Sequence, residues 1–179
     1  IPASPESGPE VPETVIIEGF ECEGSSVFPP GELTEASTQS LDAELPVELS
    51  FTELFRVRSA ITQLYADEGY VTSLAILPPQ EFSPEGGTLR VEIIEGGLED
   101  IEVVSPGRLN TSYVRRRLER FTKAPLRIDA VLEGLQLLQL DSLIQRVAAE
   151  LSACPQQGTS LLTITVEESD SNWFDLRAD

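Results

Sequence analysis

The chain has no histidine and no methionine, and it has only two cysteines and 12 basic side chains. Without histidine the usual general base near neutral pH is missing. No G-x-S-x-G, H-E-x-x-H, Walker A or G-x-G-x-x-G pattern stands in for it, so the chain is not expected to be an enzyme. Adjacent carboxylates such as Glu99-Asp100 and Glu167-Glu168 fall near predicted strand ends and read as solvated surface. The missing methionine suggests a processed or excised piece of a longer protein. Cys22 and Cys154 match no zinc spacing, which leaves a long-range disulfide or two separate, mostly buried thiols. No D-x-D-x-D-G loop is present for calcium, so neither a metal nor another cofactor is expected. No apolar run approaches the roughly 20 residues of a membrane-spanning helix, and nothing at the start reads as a signal peptide, so a water-soluble piece is expected.

Basic residues are outnumbered by 31 carboxylates, and the net charge is −19. A phosphate backbone needs a basic face, so nucleic acid is not an expected partner. The charge is uneven. Residues 108–127 hold seven basic groups and one acidic, whereas residues 1–107 hold 3 and 21. One basic island therefore sits in an acidic chain.

Residues 1–14 are rich in Pro and Glu and predict an extended linker. A first strand is expected from Val15, broken by Pro29-Pro30-Gly31 after Phe28. A short helix follows over Thr34–Leu45 with Leu41 and Leu45 facing inward, and Pro46 stops it. Ser50 and Glu53 form an S-x-x-E capping box ahead of Leu54, Val57, Ile61 and Leu64 at helical spacing. Gly69 supplies a left-handed stop. Tyr70–Leu77 then predicts a strand, and Leu89, Val91 and Ile93 alternate as its hairpin partner.

The order then repeats. Leu98–Val104 predicts a strand. Asn110 caps a helix through Phe121 with Val114, Leu118 and Phe121 inward, and Asp129 caps another with Ile128, Val131, Leu135 and Leu138 inward. Leu143–Leu151 and Leu161–Val166 read as the closing strands. Two copies of one element order predict an α+β chain of two tandem βααββ modules, each a three-stranded mixed sheet covered by two helices. A helical crossover joins parallel strands, so the first and third strands of each module pair centrally and the second is left as an edge.

The runs Leu64-Tyr65-Ala66-Asp67-Glu68-Gly69-Tyr70-Val71-Thr72-Ser73, Leu77-Pro78-Pro79-Gln80-Glu81, Gly87 to Gly96 and Leu98-Glu99-Asp100-Ile101 resemble the first POTRA domain of two-partner secretion transporters of the haemolysin-activator and haemagglutinin-exporter type, in the Omp85 superfamily. Leu137-Leu138, the strand to Leu151, Gly158 to Leu162 and Val166-Glu167-Glu168 are similar to the second POTRA domain. Ala153-Cys154-Pro155 stands where that family usually has Pro-Gly. The tail from Ser171 to Asp179 resembles the lead-in to the family's transmembrane β-barrel. The resemblance implies POTRA domains at 15–96 and 97–169, a barrel lead-in at 170–179, and a periplasmic location at a Gram-negative-type outer membrane. It also implies a role in protein transport: export of a secreted partner protein, recognised through its N-terminal secretion domain, by a chain that continues into its own barrel. The alternatives are a barrel-assembly factor and a structural spacer that binds no client.

An edge strand offers unpaired backbone groups to an extended client, so β-augmentation is the expected mode of capture. The first candidate edge is Tyr70, Val71, Thr72, Ser73, Leu74, Ala75 and Ile76, flanked by the helix face Leu54, Arg58, Ile61 and Tyr65. The second is the strand of Ile144, Arg146, Val147 and Ala149. The bland alternative is that these edges are solvated or covered. Arg115, Arg116, Arg117, Arg120, Lys123 and Arg127 make up the basic island. It reads either as a solvated face or as a docking patch for an acidic client, anionic outer-membrane lipid headgroups or the acidic first module.

Overall fold

The structure, a computed structural model, describes residues 14–169. The segment expected to lead into a barrel, 170–179, and all of the expected linker except Thr14 lie outside the described residues. The described residues fall into two compact units, one formed by residues 14–64 and 75–93, the other by residues 65–74 and 94–169. Among the described residues there are four α-helices and two sheets, of four and three strands.

In the first sheet, β1 (Thr14–Glu23) runs parallel to β4 (Gly87–Ile94), with Phe20 opposite Leu89 and Cys22 opposite Val91. Alternation explains both strands: Val15 and Ile17 are buried while Ile16 is exposed, and Leu89, Val91 and Ile93 are all buried. The central parallel pair is as the crossover argument requires. The three-strand expectation is corrected here, because β2 (Val47–Ser50) adds to the far side of β1 antiparallel and gives the order β2-β1-β4-β3.

Two further corrections follow from local chemistry. The first helix, α1, spans Pro30–Gln39 rather than 34–45, with Leu33 and Ser37 buried and Leu41 and Leu45 beyond its end. Pro30 occupies its first turn, where a missing N–H costs nothing. Thr34, Ser37 and Thr38 each donate their hydroxyls to carbonyls four residues back, and Asp42 turns left-handed (φ 49°) to end the segment. The third strand, β3, is only Leu74–Ile76. Tyr70–Ser73 is a turn, closed by the Ser73 N–H donating to the Tyr70 carbonyl at 3.0 Å.

The capping box of α2 (Phe51–Asp67) is formed. The Ser50 N–H and hydroxyl donate to Glu53 Oε2 at 2.8 and 2.7 Å, and the Glu53 N–H donates back to the Ser50 hydroxyl.

The second sheet has the order β5-β7-β6. Strands β5 (Gly97–Val104) and β7 (Thr159–Glu168) run parallel, and β6 (Ile144–Ala153) is antiparallel to β7. Helix α3 (Thr111–Leu118) packs on β5, and α4 (Ile128–Gln139) packs on β6 and on α3. The core combines Val114, Leu118, Leu126, Val131 and Leu138 with Ile101, Ile144, Leu162, Ile164 and Val166. Asn110 caps α3 by accepting the Ser112 N–H at 2.9 Å, but the helix stops at Leu118 rather than Phe121. Asp129 does not cap α4. Arg127 holds the cap position, and Asp129 lies in the first turn, where a carboxylate suits the positive end of the helix.

The second unit also takes in residues 65–74. Ser73 Oγ accepts the Gly96 N–H at 3.0 Å, the Gly69 carbonyl accepts the Ile128 N–H at 2.9 Å, and the Arg127 guanidinium stands 5.8 Å over the Tyr70 ring.

Candidate binding edges and basic groove

The end strand β3 is short, and its backbone is partly occupied. The Ala75 N–H donates to the Thr62 hydroxyl of α2 at 3.0 Å, and that hydroxyl donates to the Arg58 carbonyl at 3.1 Å. Beyond β3, the side-chain amide of Gln80 pairs with both backbone groups of Arg90 on β4, accepting at 2.8 Å and donating at 2.9 Å. A side chain thus takes the hydrogen-bonding place of a neighbouring strand.

Of the helix residues expected beside this edge, Leu54, Ile61 and Tyr65 are buried. The Tyr65 hydroxyl reaches Glu95 at 3.0 Å. Arg58 is half-buried and lies 5.4 Å over the ring of Phe55. The exposed aromatics of α2 are Phe51 and Phe55, the latter 53% exposed. Sequence reasoning missed them because the stronger helical period runs through Leu54, Val57 and Ile61; their own i, i+4 spacing was the available signal.

Strand β6 is the longer end strand, at ten residues, and its only strand partner among the described residues is β7. Ile144 is buried and Val147 half-buried, while Arg146 and Ala149 are exposed. Arg146 pairs loosely with Glu167 at 3.9 Å. Cys154 follows directly after β6. It is a free thiol, as is Cys22, and its pKa is raised by a hydrogen bond with Glu99 and by burial.

The structure divides the basic island. Arg115 pairs with Asp100 and Glu119. Arg117 donates to Asp141 at 2.6 Å and to the Tyr113 hydroxyl at 2.8 Å, and stacks 5.2 Å over that ring. Asp141 also accepts the Tyr113 hydroxyl at 2.6 Å and the Leu143 N–H at 3.1 Å. These bonds, that from Tyr113 above all, hold the Asp141 pKa low, and the same carboxylate raises that of Tyr113. Arg127 pairs with Asp129 at 3.4 Å. Arg116, Arg120 and Lys123 have no ion pair among the described residues. Arg116 and Arg120 line an open groove between α3 and α4 whose other wall carries Leu137, Leu138 and Leu140.

Glu168, at the end of β7, organises the loop ahead of α3. It accepts the Leu109 N–H and the Ser105 hydroxyl, and its pKa is lowered, first by the backbone N–H groups of Leu109 and Arg108. Among the described residues no group of three or more Asp, Glu or Cys could hold a metal ion, and no helix is long and apolar enough to cross a membrane.

A family model described as POTRA domain, ShlB-type, matches residues 15–96. Residues 15–96 are an ShlB-type POTRA domain. The chain is 32% identical to the outer membrane transporter CdiB of Escherichia coli O6:K15:H31 over 137 residues, which is 74% of this chain and 22% of that protein. It is 28% identical to the heme/hemopexin transporter protein HuxB of Haemophilus influenzae (strain 86-028NP) over 105 residues, covering 50% of this chain and 18% of that protein. The chain therefore matches about a fifth of the length of these relatives. Its fold is that of CdiB from Escherichia coli, with a TM-score of 0.65 at 23% identity over 92% of this chain and 29% of that one. It is also that of POTRA1-3 of the periplasmic domain of Omp85 from Anabaena, with a TM-score of 0.69 at 19% identity over 88% of this chain and 67% of that one.

Proposed function

We propose that this chain is the periplasmic client-recognition region of an outer-membrane two-partner secretion transporter. In this reading residues 15–96 and 97–169 are its two POTRA domains, and the whole protein exports a large partner through its own β-barrel. The partner's N-terminal secretion domain is taken up in extended form by β-augmentation, with no cofactor and no chemistry.

The observation that carries this reading is β6, ten residues long and, among the described residues, held by another strand on one flank only. Backbone pairing along such a flank is tolerant of client sequence, and α4 beside it supplies side-chain contacts. Strand β3 is the lesser edge, because it is three residues long and its Ala75 N–H is already taken. Similarity to the transporters CdiB and HuxB supports the transport role.

The test is amide hydrogen exchange of the isotope-labelled chain with and without the partner's purified N-terminal secretion domain. Capture on β6 predicts new protection at alternate amides within residues 144–153. Binding with no change in these amides would remove β6 from the mechanism, and no binding at all would leave the spacer alternative.

A further inference from the structure

The groove between α3 and α4 has a makeup that the strand edges do not share. It is an open cleft of about 740 Å³. One wall, from α3 and the turn after it, presents Arg116, Arg117 and Arg120, and the other, from α4 and its C-cap, presents Leu137 and Leu140. Leu140 is 81% exposed and Leu137 46%. Phe121 lies against Gly134, where an added Cβ would come within 2.9 Å of the ring.

Two features make this more than a solvated face. Arg117 is held by Asp141 and Tyr113, so one guanidinium is fixed at the rim. Arg116 on α3 and Arg120 in the turn after it have no ion pair among the described residues, although the chain carries 31 carboxylates. Unpaired guanidinium groups facing exposed leucines complement a ligand that combines carboxylates with apolar side chains.

We propose that this groove is a docking site for an acidic amphipathic helix of a partner polypeptide. Leucine-type side chains of the helix lie against Leu137 and Leu140, and its Glu or Asp side chains, a turn apart, reach Arg116 and Arg120. Shape favours a helix over a bilayer, because a cleft between two helices admits a rod. The site does not depend on β6. It adds a side-chain-selective contact to a molecule whose edge pairing reads little sequence.

The probe is a fluorescein-labelled synthetic helix with Leu at i, i+3, i+4 and i+7 and Glu on both flanks. It is titrated by fluorescence anisotropy against the full 179-residue chain. Saturable binding is expected, weakened about tenfold by Arg116→Glu with Arg120→Glu, by Leu140→Ser, and by raised salt. Leu140 and both arginines are exposed, so these variants keep the fold, which circular dichroism verifies. Absence of saturable binding would overturn the proposal. So would equal binding of a peptide with Lys in place of Glu, or displacement of the bound helix by vesicles containing phosphatidylglycerol. Binding only after removal of residues 170–179 would assign the groove to the chain's own acidic, aromatic tail instead. The β6 reading is scored separately, because Arg116→Glu leaves residues 144–153 untouched.

Discussion

The hydroxyl of Thr62 accepts the backbone N–H of Ala75 at 3.0 Å, tying the middle of α2 to the end strand of the first sheet. An N–H of an edge strand is thereby satisfied by a helix side chain, not left for an incoming chain. Thr62→Val removes the acceptor while keeping the shape. The expected loss is about 1–2 kcal/mol in urea unfolding, with faster exchange of the Ala75 amide. If a client adds to β3, the same variant binds it more tightly, because the competing hydroxyl is gone.

Glu168 gives an acid-sensitive contribution whose sign is fixed by its bonds. Its folded pKa lies below the usual glutamate value because the Leu109 and Arg108 N–H groups and the Ser105 hydroxyl favour the carboxylate. The stability it adds is present above the unfolded-state value, about 4.3, and is lost as pH falls through the lower folded value. Thermal melts from neutral pH downward should show wild type more stable than Glu168→Gln near neutrality, with the gap closing in acid. A gap independent of pH would contradict the assignment.

Gly134 is set against Phe121 so closely that a methyl group has no room. Gly134→Ala gains helix propensity of about 1 kcal/mol, but the crowding costs about 1–3 kcal/mol, so a net loss is expected. Combining it with Phe121→Ala should recover part of that loss. A double-mutant cycle with no coupling would show that the two groups do not meet.

Asp141 raises the Tyr113 pKa mainly by accepting its hydroxyl hydrogen. Asp141→Ala should bring the ionisation of this phenol to lower pH in an ultraviolet titration, with Tyr113→Phe identifying the transition. The variant also frees Arg117, so the wall of the α3–α4 groove should become more mobile.

Where local chemistry and burial agree, the residues announced the structure. The alternation of Leu89, Val91 and Ile93, the Ser50–Glu53 box and the Asn110 cap all appear as expected. Strand β2 was hidden because Val47–Ser50 is only four residues long, wedged between Pro46 and a cap, and its pairing with β1 is a tertiary fact. Pro29-Pro30 reads as a break, yet a proline in the first turn starts α1. Tyr70, Val71 and Thr72 have strand-like side chains, but Gly69 (φ 86°) and the Ser73 to Tyr70 bond bend them into a turn. The basic island was visible as a cluster of charge. Which arginines are paired depends on Asp100 and Asp141, which lie outside it in sequence, so the groove became visible only in three dimensions.

Cys154 stands where β6 gives way to the loop before β7, with a thiol that ionises reluctantly. A maleimide attached there, after Cys22 is replaced, would place a reporter at the end of the proposed docking strand and leave its backbone untouched. Slow labelling at neutral pH, quickening as the solution is made alkaline, would make the residue a gauge of how often that end of the sheet is covered.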